Sequence, residues 1–324
     1  MSFADVPIQA TQPVAGDAPS SEPDGEVAQQ IQGRSTWQLA WARLRRDKAA
    51  VASAIVIVLI ILFAIFAPLV ASITGHGPNQ QFRTTGLDTF GLPVAPNHTF
   101  LLGTDDQGRD ILVRIAYGAR ISLFVGVVAT LSTVAIGAVL GLASGYLGGL
   151  VDTVIARIID LVLSLPYLLF AISLVSIEGP SLQIVIIVIA VFGWAAVARI
   201  VRGQVLSIRE KEYIEAARSL GASSWRIMFV DVLPNVTAQL IVYATLLIPV
   251  SIVAEASLSF LGLGIPPPTA DWGQMLAEVD NQDLYQQAWW FLVFPGVALV
   301  ITTLAFNILG DGVRDALDPR FERL

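Results

Sequence analysis

The chain has 324 residues, of which 55% are hydrophobic and only 14% charged, whereas soluble domains carry about 25% charged residues. It contains no cysteine, which excludes a disulfide framework, a thiolate metal site and a cysteine nucleophile. The formal net charge of −7 is modest and gives no pointer to a nucleic-acid partner.

The first 33 residues are rich in Pro, Ser, Gln, Ala and acids and have no apolar period, so they cannot bury enough surface to fold. The expectation is a disordered cytoplasmic tail over 1–48, ending in the basic run Arg43, Arg45, Arg46 and Lys48. The first apolar run starts near Ala49, far from the N-terminus and without a small-residue cleavage site after it. That run is therefore expected to stay in the protein as a first span over 49–71.

Five further apolar runs follow, over about 121–144, 153–176, 182–200, 236–261 and 288–309. Each is near the roughly 20 residues that cross hydrocarbon. Alternating ten-residue strands are absent, so helices are expected rather than a β-barrel. The predicted fold class is an all-α polytopic membrane protein with six transmembrane helices. Lys and Arg concentrate before span one, between spans four and five, and after span six. By the positive-inside rule both termini are expected to be cytoplasmic. Arg109, Arg114 and Arg120 dissent mildly, in a long extracytoplasmic loop over 72–120. That loop opens with an irregular Gly/Pro/Asn/Thr stretch. It then runs into a helix for which Asp105 or Asp106 is the expected cap.

Residues 121–312 then form a core of five spans, with a tail over 313–324. Gly137, Gly141 and Gly145 fall on one face of span two and predict close helix packing. Pro166 and Pro249 lie inside spans three and five and predict kinks. Asp160 has Arg157 one turn before it, the spacing of a local ion pair. Glu255 is an ionisable group at membrane depth. It either lines a pathway or hydrogen-bonds a neighbouring helix. Asn307 and Asp311 are expected to organise the inner end of span six. Pro266, Pro267 and Pro268, with Trp272, Trp289 and Trp290, predict a rigid outer loop and an aromatic belt.

Neither lysine, Lys48 nor Lys211, follows a Gly-rich loop, so a phosphate-cradling P-loop is absent. Gly-x-Ser-x-Gly and His-Glu-x-x-His are absent as well, and no enzymatic activity is expected. The inner loop over 203–235 is the most patterned segment of the chain. Helix formers run from Glu212 to Leu220, Gly221 stops them, and Ser223 or Ser224 can cap a second piece. Pro234 is expected to break the chain before span five. Such a piece either docks into a groove on a soluble partner or lies on lipid headgroups.

Glu215-Ala216-Ala217, then Gly221, then Leu233-Pro234 resembles the inner-loop motif of bacterial ABC importer permeases, with Asp231 where an apolar residue is usual. Leu102-Gly103-Thr104-Asp105, Gly108-Arg109-Asp110, Ser259-Phe260-Leu261-Gly262 and Asn307-Ile308-Leu309-Gly310-Asp311-Gly312 narrow the resemblance to the dipeptide, oligopeptide and nickel branch. The resemblance covers about 41–324. It implies a type I importer permease fold in a bacterial cytoplasmic membrane, surrounded by membrane lipid. The implied partners are a second, similar permease, two cytoplasmic ATPases and an extracytoplasmic solute-binding protein. No cofactor is implied on this chain, with ATP and Mg held by the ATPases. Glu215, Ala216, Ala217, Gly221, Leu233 and Pro234 would form the ATPase-coupling loop. Glu255 is the possible pathway residue. The function expected on this resemblance is ATP-driven import of a dipeptide or oligopeptide by alternating access. Nickel or another small solute is the alternative cargo, and an ion-coupled carrier or a scaffold are the rival classes.

Overall fold

The computed structural model describes residues 36–281 and 284–318. The helices in chain order are α1 (Thr36–Leu44), α2 (Lys48–Ile65), α3 (Ala67–Thr74), α4 (Ile111–Leu147), α5 (Gly149–Ser164) and α6 (Tyr167–Glu178). They continue with α7 (Leu182–Ile208), α8 (Glu212–Ser219), α9 (Ser224–Arg226), α10 (Leu233–Phe260), α11 (Trp272–Asn281) and α12 (Trp289–Leu317). Among the described residues, five helical stretches are long and apolar enough to cross a membrane, and six if the bent pair α5 and α6 counts as one span.

The prolines decide where the expected spans deviate. Pro68 cannot continue α2, because its ring clashes with a carbonyl one turn back. The run expected over 49–71 therefore splits at Phe66 into α2 and α3. Pro166 forces Leu165 into an extended conformation, and α5 and α6 meet at 89°. Pro234, by contrast, does not break the chain. It sits in the first turn of α10, where a missing N–H is tolerated. A π-helical stretch, Ile227–Val232, joins α9 to α10, and Ser224–Phe260 runs on as one 37-residue helix. The amide of Asn235 satisfies the Asp231 carbonyl at 2.6 Å.

Other expectations also shift. Residues 36–48, assigned to the tail from composition, form α1 and the capped start of α2, while 1–35 lie outside the described residues. Helix α4 begins at Ile111 rather than near 121, capped by Asp110 and not by Asp105 or Asp106. At 37 residues it is about 55 Å long, so its first turns project beyond a hydrocarbon core of roughly 30 Å. Asp160 pairs with Arg199 of α7 at 2.7 Å, not with Arg157. Helix α12 carries on to Leu317 into the expected tail, and 319–324 lie outside the described residues.

Helix α4 is the spine of the bundle. It runs parallel to α7, with Gly137 against Val197, Gly141 against Val201 and Gly145 against Val205. It runs antiparallel to α10, with Gly126 against Ile252 and Thr130 bonded to Ser251 at 2.9 Å. A Cβ on Gly141 would lie 2.6 Å from the Ala198 carbonyl oxygen and 2.7 Å from Val201 Cβ. Gly141→Ala is therefore expected to cost about 1–3 kcal/mol by overpacking. Thermal unfolding of the purified variant reads this, and an unchanged midpoint would contradict the close approach.

Two ends of the bundle follow from these directions. One end collects α1, the start of α2, the α4–α5 turn, α8, α9 and the end of α12. The other collects the 75–110 loop, the start of α4, the end of α10, α11 and the start of α12.

Candidate functional site

The first end carries the patterned loop. Helix α8 places Glu212 and Glu215 in its first turn and Arg218 in its last, each favourable to the helix dipole. One residue, Ile214, is wholly buried and plugs into a cluster with Val205, Ile208, Ile227 and Val232. Gly221 at φ +81° takes a left-handed conformation after the helix. The Ala222 amide donates to the Ala217 carbonyl and the Gly221 amide to the Arg218 carbonyl, the paired bonds of a Schellman cap. Ser223 then caps α9 through the Arg226 amide. The loop free of long helices thus shrinks from 203–235 to about 209–223. Leu233 is half-buried and Pro234 exposed, both on the helix that becomes the span.

The outward side of α8 is bare. Glu215, Ala216, Ser219 and Leu220 are exposed, and Leu220 is 88% accessible. Leu220 thus stands beside the small side chains of Ala216 and Ser219 on this exposed side. Behind it, Glu215 and Arg218 line a polar recess of about 660 Å³ with Tyr146, Arg209 and Ser224. Arg218 lies 5.9 Å from the centre of the Tyr146 ring, and Arg209 donates to the Gly145 carbonyl at 3.1 Å. Asp152 of α5 accepts from Arg202 of α7 at 2.5 and 2.8 Å and from Ser144 of α4. Arg218 thus links α8 to α4, Arg209 ties the end of α7 to α4, and Asp152 ties α5 to both α4 and α7.

At the opposite end a charged cluster is buried. Arg109 donates through Nε to Asp105 at 2.5 Å and through a terminal nitrogen to Glu278 of α11 at 3.0 Å. Arg114 approaches the same Asp105 oxygen at 3.2 Å. Burial pushes the Asp105 and Glu278 carboxyls up, and Arg109 and Arg114 oppose that rise. The carboxylates of Asp105, Asp106 and Glu278 converge, but guanidinium groups occupy the space between them, so the cluster is filled by its own cations. These internal pairs also explain why Arg109 and Arg114 stand outside the positive-inside pattern: their charge is spent within the fold.

Glu255 is completely buried. It accepts from Ser122 of α4 at 2.9 Å and from Ser259 at 3.2 Å. Asp271, just before α11, is its acidic neighbour. Asp271 Oδ1 accepts from the Gly273 amide at 2.9 Å, and Oδ2 is buried without a hydrogen-bond partner among the described residues. Burial pushes the Asp271 carboxyl up. Helix α11 is wedged there: Trp272 donates to the Ile115 carbonyl, and a Cβ on Gly273 would lie 2.3 Å from the Ala256 oxygen.

A groove of about 570 Å³ runs between α10 and α12. Asn235, Gln239 and Tyr243 line it at i, i+4 and i+8, and Arg314 of α12 lines it as well. Sequence reading passed over this polar stripe because each member alone is unremarkable within an apolar run. Its spacing was the available clue.

Residues 137–323 match the family profile described as "binding-protein-dependent transport system inner membrane component". Residues 35–88 match the one described as "N-terminal TM domain of oligopeptide transport permease C". The chain is 43% identical over 286 residues to the dipeptide transport system permease protein DppC of Bacillus subtilis, covering 88% of this chain and 86% of that one. It is 44% identical over 295 residues to the oligopeptide transport system permease protein OppC of Escherichia coli, covering 90% and 93%. To DppC of Alkalihalophilus pseudofirmus it is 41% identical over 310 residues, covering 96% and 97%.

Proposed function

The chain belongs to the family of binding-protein-dependent transport system inner membrane components, and on that premise we propose that it forms half of the pore of an ATP-driven importer whose cargo is a short peptide. The names of its relatives support the cargo. The observation that carries the mechanism is the bare outer side of α8, set on a rigid mount. In this reading α8 with Glu215, Ala216, Ala217 and Gly221 is the seat of a cytoplasmic ATPase, and Leu233 and Pro234 begin the span that receives the motion. ATP and Mg bind on the ATPases, a second permease completes the pore, and a solute-binding protein delivers cargo at the α11 end. Both termini are then cytoplasmic, an orientation supported by the cations that remain once Arg109 and Arg114 are internally paired.

Motion passes from α8 through Ile214 and the Arg218–Tyr146 and Arg209–Gly145 contacts to α4. The groove of Asn235, Gln239 and Tyr243 offers amide and hydroxyl groups suited to a peptide backbone. Glu255, the possible pathway residue, is fully buried against α4 and held by Ser122 and Ser259. Glu255→Gln keeps an acceptor for Ser122, so peptide uptake is expected within about threefold of wild type, the scale of one neutral hydrogen bond. Abolished uptake with intact assembly would instead favour a proton-coupled carrier.

The function itself is tested in vesicles holding this chain, its second permease, ATPases and binding protein. ATP-dependent accumulation of a labelled di- or tripeptide is expected. Accumulation driven by an ion gradient without ATP would overturn the reading.

A further inference from the structure

Helix α1 has two unlike faces. Ala40 is buried and Leu44 half-buried, and they turn toward α12; the position of Gly312 is shared by Ala50 on one side and Leu44 on the other. This shared neighbour fixes the level of α1: its last turn lies beside the first turn of the α2 span. Arg43 also turns to α12, donating to the Asp318 carbonyl at 3.1 Å. The other face is a stripe of Trp37, Trp41 and Arg45 at i, i+4 and i+8. The two indoles are 51% and 56% accessible. The Arg45 guanidinium lies 4.8 Å from the centre of the Trp41 ring, and its amide still donates to the Trp41 carbonyl, so the helical turn runs on. Arg46 and Lys48 are exposed next to it. Asp47, the neighbouring acid, is engaged by the Ala49 and Ala50 amides as the cap of α2. Among the described residues no carboxylate is paired with Arg45, Arg46 or Lys48.

We infer that this face of α1 is a docking surface for acidic phospholipid headgroups, with Trp37 and Trp41 lying in the membrane interface and Arg45, Arg46 and Lys48 contacting headgroup phosphates. Four arguments carry this assignment. Indole rings prefer the headgroup level, where one edge is wet and the face apolar. A short helix with such a face and a cationic border lies along the membrane rather than in water. The last turn of α1, which carries Trp41 and leads into Arg45, sits beside the first turn of α2, where the chain becomes apolar and headgroups lie. The charge is complementary: three adjacent cations against an anionic surface. The inference goes beyond the transport reading and does not depend on the cargo.

The test uses the complete importer in nanodiscs of phosphatidylcholine carrying a minor fraction of either brominated phosphatidylglycerol or brominated phosphatidylcholine. The Trp37 and Trp41 component of fluorescence is the difference between wild type and W37F/W41F. Brominated phosphatidylglycerol is expected to quench it more strongly at equal mole fraction, with a lipid preference on the order of fivefold. R45Q/R46Q/K48Q should erase the preference while leaving quenching by both lipids. Equal quenching by both lipids in the wild type would overturn the assignment, since the face would then touch bilayer without reading charge. No quenching by either would overturn it too, and would place a protein surface, such as an ATPase or the second permease, over α1. Should W37F/W41F fail to assemble, native mass spectrometry of wild type against R45Q/R46Q/K48Q reads the same preference. Phosphatidylglycerol retained equally by both would count against the proposal.

Discussion

Arg109→Ala is expected to destabilise the protein by about 3–5 kcal/mol, the cost of stripping one partner from a buried ion pair. The side chains of Arg109 and Asp105 are 2% and 0% accessible, and Glu278, on a helix 169 residues away in sequence, depends on the same guanidinium. Removal leaves Asp105 and Glu278 with Arg114 alone, whose terminal nitrogen stands 3.8 Å from Glu278. Helix α11 then loses a direct polar tie to the 101–110 loop. Arg109→Lys should recover only part of the loss, because one ammonium cannot hold both carboxylates in the fork geometry of a guanidinium. Thermal unfolding in detergent measures the change. A double-mutant cycle with Asp105→Asn should return a coupling of about 1–3 kcal/mol. A loss below about 1 kcal/mol, the range of exposed pairs, would mean that the cluster is wet and loosely held.

The second large effect is on coupling. Glu215→Lys reverses a charge at an exposed position in the first turn of α8, at the edge of the recess it shares with Arg209 and Arg218. Its effect on folding should be within about 0.5 kcal/mol, as for surface changes elsewhere. Peptide uptake should nevertheless fall by about tenfold or more, the result of losing roughly 1.4 kcal/mol at a seat for another subunit. Gly221→Val acts differently. There is open space around Gly221, so no clash arises, but a β-branched residue at φ +81° is strained by about 1–3 kcal/mol. The Schellman cap that aims α8 into α9 would distort, and the helix would meet its partner at the wrong angle. Both variants should keep basal ATP hydrolysis in the assembled importer while uptake drops. Normal uptake by Glu215→Lys in an assembled complex would remove α8 from the coupling role.

The spans were largely legible because length and hydropathy are local properties, and the bilayer imposes them on every crossing segment. The turn at Gly221 was legible for the same reason: the need for a left-handed residue after Ser219 and Leu220 is written in three or four neighbours. What escaped was long-range. A helix before span two was expected, but its cap at Asp110 and its continuity with the span as α4 were not, because Asp105 is instead drawn to Arg109 and Arg114 and Glu278 comes from a distant helix. Asp160 had a plausible partner at helical spacing, and the fold gave it another 39 residues away. Pro234 reads as a breaker, yet the π-helical stretch before it shifts the hydrogen-bond pattern so that the helix continues. Helix α1 was missed because nine residues with two tryptophans show no strong period until α12 supplies the surface that Ala40 and Leu44 cover.

For the candidate site, the identity of α8 and its cap was readable, and its mounting was not. Nothing local announces that Arg209 reaches Gly145 or that Arg218 lies over Tyr146. In the proposed function, those contacts would attach the lever to the bundle.

The natural absence of cysteine allows a direct test of that lever. A single thiol at Ala216→Cys, in the complete importer, should cross-link to an ATPase subunit and become shielded from water-soluble maleimide when that subunit is bound. A thiol that stays fully reactive in the assembled complex and forms no cross-link would contradict the account.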